Sequence, residues 1–210
     1  MKVEIWSDIM CPFCYIGKRK FEKALEQFEH KGEVEITWKS FQLNPGMETD
    51  PGKNINQYLA EIKGWSLEQA KEMNARVTHM AEAVGLKYDF DKAVVANSFD
   101  AHRLIQLAKT KGKGDEAEER LFKAYFTEGS NIADKETLIA IAESIGLDKA
   151  EVREMLDSGK FAGNVQEDIN ESQQIGVRGV PFFVFNRKYA VSGAQESDAF
   201  LEVLRKASEA

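Results

Sequence analysis

The sequence is short of most features that would announce a function. Of its 210 residues only two are cysteine, three are histidine and four are proline. His30, His79 and His102 stand singly, so with one cysteine pair they do not make up the paired knuckles of a four-ligand zinc site, and no metal is expected. There is no surplus of positive charge. Against 28 Lys and Arg stand 35 Asp and Glu, a formal net charge of −7, which excludes a general attraction to nucleic acid or to an anionic membrane surface. No apolar run approaches the roughly 18–20 residues that a membrane helix needs. No basic segment followed by an apolar one precedes the first strand-like residues, so the expectation is a leaderless, cytoplasmic protein in a compartment that keeps thiols reduced. No repeat of fixed period is present, which excludes a helical solenoid.

What is present is an ordinary globular composition, 43% hydrophobic and 30% charged, in a chain long enough to bury a core without staples. The two cysteines lie three apart, Cys11-Pro12-Phe13-Cys14. Three readings compete. A structural disulfide would close a tiny loop and constrain the unfolded chain little. Half of a zinc site would lack its other half. A redox pair between a strand and a helix fits best. Val3, Ile5 and Trp6 suggest the strand, and Phe21, Ala24, Leu25 and Phe28 follow the i, i+3, i+4, i+7 spacing of a helix face. Extended backwards, that face reaches Gly17 and Cys14. Pro12 suits the first helical position and so puts Cys11 at the N-cap. There the unpaired backbone N–H groups and the helix dipole favour a thiolate, the species that attacks disulfides. Cys11 is therefore the expected nucleophile, and the deeper Cys14 the resolving thiol.

Residues 33–41 alternate polar and apolar as a half-buried strand, and Asn44-Pro45-Gly46 and Asp50-Pro51-Gly52 mark a loop after it. From about 55 to 175 the pattern is helical, broken near Gly64, Gly85, Gly112, Gly129 and Gly146, with Ser66 as a helix cap. Strand signals return at Pro181–Phe185 and Tyr189–Ser192, with a turn at Asn186-Arg187-Lys188, and a last helix starts near Ser197. Neither terminal sheet fragment can bury both its faces alone, so the helical block is read as an insertion into one α/β core.

These pieces resemble a known family. The Cys11-Pro12-Phe13-Cys14 helix start, the helical insertion and Gly179-Val180-Pro181 before the hairpin are similar to the DsbA-like thioredoxin superfamily. Ser7 to Gly17, Asn97 to Leu104 and Ser192-Gly193-Ala194-Gln195 resemble its FrnE branch, which is related to 2-hydroxychromene-2-carboxylate isomerases and kappa-class glutathione transferases. The resemblance covers essentially the whole chain. It implies an α/β, thioredoxin-like fold with a large helical insertion, one domain over residues 1–210, with the thioredoxin core at 1–50 and 160–210 and the insertion at 51–159. It implies a cis Val180–Pro181 bond beside the cysteines, with Pro12, Phe13, Val180 and Pro181 meeting substrate and the Val180 backbone pairing with an extended segment. Phe13 departs from the pattern. Branch relatives often carry tryptophan there and periplasmic DsbA proteins a histidine, and Phe13 has no N–H to offer the Cys11 sulfur.

Other residues have two readings each. Asp8 is a candidate proton relay for Cys14 or a loop carboxylate bonded to nearby N–H groups. Arg103 is a candidate substrate ligand, with His102 beside it, or both are structural. Lys18, Arg19 and Lys20 would steer acidic thiols or form a solvated helix face, the second being the default. The functional expectation is a thiol–disulfide oxidoreductase without a bound cofactor. Glutathione is a candidate thiol partner, protein or small-molecule thiols and disulfides are the substrates, and a homodimer is a candidate assembly. The alternative is a glutathione-dependent isomerase or transferase. Relatives of that kind usually replace the first cysteine by serine, so the intact pair favours redox work.

Overall fold

Two ends of the chain meet in one sheet. In the computed structural model, which describes residues 1–209, strand β1 (Lys2–Ser7) lies between β2 (Glu35–Ser40) and β5 (Phe182–Phe185), and β6 (Tyr189–Ser192) forms the far edge. β1 runs parallel to β2 and antiparallel to β5. Val3, Ile5 and Trp6 of β1 are fully buried, as expected of a strand covered on both faces. The three residues between β5 and β6 begin with Asn186 and Arg187 at φ 49° and 57°, the left-handed pair of a type I′ turn closed by the Lys188 N–H on the Phe185 carbonyl at 3.0 Å.

Helices α1 (Pro12–Glu26) and α9 (Ser197–Ser208) pack together against this sheet. Phe183 from β5 fixes the layer, with its ring centroid 5.5 Å from that of Phe21 and 4.6 Å from that of Phe200. All three rings are buried, each worth about 1.5–3 kcal/mol of apolar burial. On the other side, α8 (Ala162–Gln174) is tied to the sheet through Asp168. Its main-chain oxygen accepts from Trp6 Nε1 at 2.9 Å, and its carboxylate accepts from the Ser40 N–H at 3.0 Å and from Lys39 Nζ at 2.9 Å.

Between β2 and α8 come α2 (Ile55–Lys63), α3 (Leu67–Glu82), α4 (Phe99–Thr110), α5 (Gly114–Phe126), α6 (Lys135–Ser144) and α7 (Lys149–Asp157). Glycines end these helices where the pattern breaks, at Gly64, Gly85, Gly112, Gly129 and Gly146, all with positive φ. Ser66 caps α3 in a reciprocal box with Gln69. One expectation fails here. Asp50-Pro51-Gly52, read as loop punctuation, belongs to a strand, β3 (Asp50–Asn54), which pairs with the two-residue β4 (Val94–Val95). Only Asp50 and Asn54 pair, across a register shift, so tertiary contact and not local propensity makes this ribbon. Among the described residues, no helix is long and apolar enough to cross a membrane.

The block docks on α1 through aromatic stacking. Tyr15 lies over Phe122 of α5 at 4.8 Å between centroids, and Tyr88 over Phe126 at 4.6 Å. Below them Lys18 is buried among Glu22, Asp115 and Glu119, which corrects the expectation of a solvated basic face. Burial disfavours its charge, but the Asp115 charge and the Glu22 hydrogen bond outweigh this and raise its pKa. Arg19 pairs with Glu22 and Glu119, and Lys20 pairs with Glu196. All three cations of this run are already partnered.

A close approach lies where α1 meets the turn before β5. A Cβ added at Gly17 would stand 2.8 Å from Pro181 Cγ and 3.5 Å from Phe183 Cζ. Gly17→Ala is therefore expected to lower stability by about 1–3 kcal/mol through overpacking. Denaturant unfolding measures that loss, and an unchanged midpoint would show that the turn yields freely.

Candidate active site

Cys11 occupies the N-cap of α1, at φ −88° and ψ 109°, with Pro12 opening the helix. The chain reaches that position through a turn in which the Cys11 N–H donates to the Asp8 carbonyl at 2.9 Å. The Cys11 thiol donates to the Val180 carbonyl at 3.4 Å, and the Val180–Pro181 bond is cis. Pro181 is buried and Val180 half-buried. Among the described residues, the Val180 N–H reaches no protein acceptor.

Both cysteines are free thiols, Cys11 4% and Cys14 1% exposed, so Cys14 is the deeper of the two. Burial, followed by the hydrogen bond and charge of Cys11, raises the Cys14 pKa well above the ordinary thiol value. The Asp8 backbone and the Ser7 side chain act in the opposite direction. Phe13 is 38% exposed between them.

Asp8 is buried and held by main chain. Its carboxylate accepts from the Leu43 N–H at 2.7 Å and the Met10 N–H at 3.3 Å. This is the loop-carboxylate arrangement, and it pins the segment before Cys11 to the segment after β2. His102 Nε2 lies 3.4 Å from Asp8 Oδ1 and is buried without a hydrogen-bond partner. Arg103 is only 5% exposed. Its guanidinium donates to the carbonyls of Lys160, Met155 and Ser158 and to Asp100. Of the two readings of Arg103, this position supports the structural one, a brace between α4 and the α7–α8 turn.

Three features of this region escaped the sequence reading. Tyr88 donates to the Pro12 carbonyl at 2.7 Å and caps the first turn of α1 from the insertion. Burial, then the nearby charges of Cys11 and Cys14, push its pKa far up, so it stays a neutral donor. Glu118 of α5 is fully buried, and burial raises its pKa to about 7. Its Oε1 accepts from the Ser7 hydroxyl at 2.6 Å. The signal was present in the sequence, since Glu118 shares its helix face with Leu121, Phe122 and Tyr125 at i+3, i+4 and i+7. The third feature is a cleft of about 530 Å³ running from Met10, Pro12 and Phe13 to α2 and α3. Leu43, Ile62, Trp65 and Met73 line it while remaining exposed, so large apolar side chains gather at its rim. Among the described residues, no cluster of His, Cys, Asp or Glu is placed to hold a metal.

This geometry agrees with the comparisons to known proteins. A structure of a probable DsbA oxidoreductase, SCO1869 from Streptomyces coelicolor, superposes with a TM-score of 0.94 at 39% identity, covering 100% of this chain and 90% of that one. Two more distant structures share the fold alone. One is a 2-hydroxychromene-2-carboxylate isomerase, with TM-score 0.70, 17% identity and coverage of 100% and 95%. The other is the cytosolic disulfide reductase DsbM from Pseudomonas aeruginosa with GSH, with TM-score 0.70, 16% identity and coverage of 100% of both chains. Residues 2–205 match the family described as the DSBA-like thioredoxin domain, and the chain belongs to that family.

Proposed function

We propose that the protein is a thiol–disulfide oxidoreductase in which Cys11 attacks and Cys14 resolves. The observation that carries this reading is the pairing of two free thiols at the start of α1, the outer one facing the Val180 carbonyl and the inner one buried behind it. Cys11 sits where the helix end favours an anion, and Cys14 is held as a thiol by burial until a mixed disulfide forms beside it. The free Val180 N–H and its carbonyl offer an extended substrate segment a strand-like partner. Pro12 and Phe13 form the near wall of the apolar cleft, which suits a substrate with an apolar group close to its sulfur. Protein or small-molecule disulfides are the proposed substrates, with glutathione as a thiol partner. The glutathione-bound relative is a cytosolic disulfide reductase, and the same compartment is proposed for this chain.

The intact Cys14 separates this reading from a glutathione-dependent isomerase or transferase, which has no use for a second thiol. Insulin reduction is expected to proceed with the wild-type protein and to fall to background in Cys11→Ser and Cys14→Ser. Isomerase or conjugation activity that survives Cys14→Ser, with no insulin reduction in the wild type, would overturn the proposal.

The division of labour has its own test. In Cys14→Ser, mixed disulfides with glutathione should accumulate on Cys11 and persist, as read by mass spectrometry. Adducts collecting on Cys14 in Cys11→Ser would reverse the assignment.

Phe13 sets the third expectation. Phe13→His would add a donor to the Cys11 thiolate that the disulfide form cannot use. A hydrogen bond to a charged group is worth about 1.5–3 kcal/mol, which corresponds to a potential more oxidising by roughly 30–60 mV. Equilibration with glutathione buffers measures it, and an unchanged potential would show that residue 13 does not reach the sulfur.

A further inference from the structure

The apolar cleft beside the cysteines has a polar floor that disulfide exchange itself does not use. Asp8 and Ser98 both line it, and each is only 2% exposed. Ser98 is the residue before α4, where a serine hydroxyl ordinarily accepts from the first N–H groups of the helix. Here Asn97 takes that part, its Oδ1 accepting from the Phe99 N–H at 2.9 Å. Ser98 makes no capping bond, and among the described residues its hydroxyl has no hydrogen-bond partner. His102, one turn along α4, brings the two floor groups together. Its N–H donates to the Ser98 carbonyl at 2.9 Å, and its Nε2 lies 3.4 Å from Asp8 Oδ1. A carboxylate has room for about four donors, and Asp8 receives two, the Leu43 and Met10 N–H groups. An unpaired hydroxyl and a half-filled carboxylate, buried under apolar walls, are unfavourable until a donor reaches them.

The floor therefore suits a hydrogen-bond donor, and the walls suit a ring. Phe13, Trp65, Phe90 and Phe126 line the cleft, with Met10 and Met73 as pliable contacts. Its volume of about 530 Å³ falls among those of whole small-ligand sites, roughly 300–1,000 Å³. Val180 and Pro181 are not among its lining residues, so the strand-like partner that Val180 offers and this cleft are separate. What enters the cleft is a group carried by the substrate sulfur itself. The turn closed by the Cys11 N–H on the Asp8 carbonyl keeps those two Cα atoms within about 7 Å, the scale of one aromatic ring.

We propose that the cleft binds an aryl group bearing a hydroxyl, and that disulfides of small hydroxylated aromatic thiols are the preferred substrates. This deepens the oxidoreductase reading and rests on it. The hydroxyl donates to Asp8 and accepts from Ser98, the ring is walled by the aromatic side chains, and the sulfur faces Cys11. The Cys11 thiolate attacks that disulfide, forms a bond to one aryl sulfur and releases the other as a thiolate. Cys14 loses its proton to the medium, bonds to Cys11 and releases the second aryl thiolate. The substrate gains two electrons, and the cysteine pair loses them in becoming a disulfide.

The test has two arms. In the first, para-ethylphenol and ethylbenzene are titrated into the reduced full-length protein while its methionine methyl NMR signals are followed. Met10, Met47 and Met73, which line the cleft, should shift, and Met155, fully buried and not a lining residue, should not. The phenol should bind roughly 10- to 100-fold more tightly, as a hydrogen bond to a charged group provides. Ser98→Ala should narrow that difference by roughly 2- to 10-fold, and Ser98→Thr, which keeps the hydroxyl, should restore it. In the second arm, the reduced protein meets para-hydroxyphenyl disulfide, diphenyl disulfide, a tyrosine-bearing peptide disulfide or oxidised glutathione, and thiol release is timed. After division by each disulfide's rate with free dithiothreitol, the hydroxylated aryl disulfide should react fastest, about 10-fold ahead of the unsubstituted one.

Equal affinities for the two probes, or shifts confined to other methionines, would overturn the aryl site. Faster reduction of the peptide than of the small disulfide would overturn the assignment to small molecules. If Ser98→Ala does not fold, the wild-type comparison of phenol with ethylbenzene carries the same decision. Reduction of oxidised glutathione with no preference between the aryl disulfides would overturn the proposal and leave the oxidoreductase standing. Phenol bound in the cleft with no disulfide reduced would overturn the oxidoreductase, and the substrate assignment with it, and leave the aryl site.

Discussion

The close approach of α1 to the Val180–Pro181 turn holds the site together. Gly17 leaves no room for even a methyl group against Pro181. One turn earlier on the same helix, Cys14 is buried, and at the N-cap Cys11 meets the Val180 carbonyl. The contact joins residues about 165 positions apart in the chain. It depends on β1 pairing with β5 and on the Phe21, Phe183 and Phe200 rings filling the layer beneath. The two cysteines and the Val180 backbone that faces them are therefore brought together by one packing arrangement.

The insertion does more than lengthen the chain. Its aromatic rings stack on Tyr15, and Tyr88 holds the Pro12 carbonyl, so the start of α1 is braced from both sides. Lys18 is enclosed by acids from α1 and α5, which ties the insertion to the thioredoxin-like core by charge as well as by rings. Helices α2 and α3 supply the far wall of the apolar cleft. Pro12 and Phe13, which lie between the cysteines, border that groove.

The electrostatics divide the two cysteines by depth. Cys11 has the helix end, and Cys14 has burial, which favours the neutral thiol. On the oxidoreductase reading proposed above, that asymmetry leaves the attack to Cys11.

Much of this was legible in the sequence, and the division has a physical reason. Local patterns sufficed for the strand before the cysteines, for Pro12 opening the helix, for the hairpin turn and for the glycine helix ends, because each is set by neighbouring residues. The proline at 181 and the cysteine pair, taken together by resemblance, pointed to the cis bond and its neighbours. Tertiary structure alone decided the rest. A strand appeared at Asp50–Asn54 because β4 lay beside it, against its own weak propensity. Lys18 was buried because acids from α5 came to meet it, and Arg103 became a brace because three carbonyls near residues 155–160 converged on it. Glu118 sat in the sequence among other acids of α5, and its helix face marked it as inward. Only the fold determined that inward meant Ser7. Periodicity specifies which side of an element turns to the core, while the partner waiting there is set by contacts far apart in the chain.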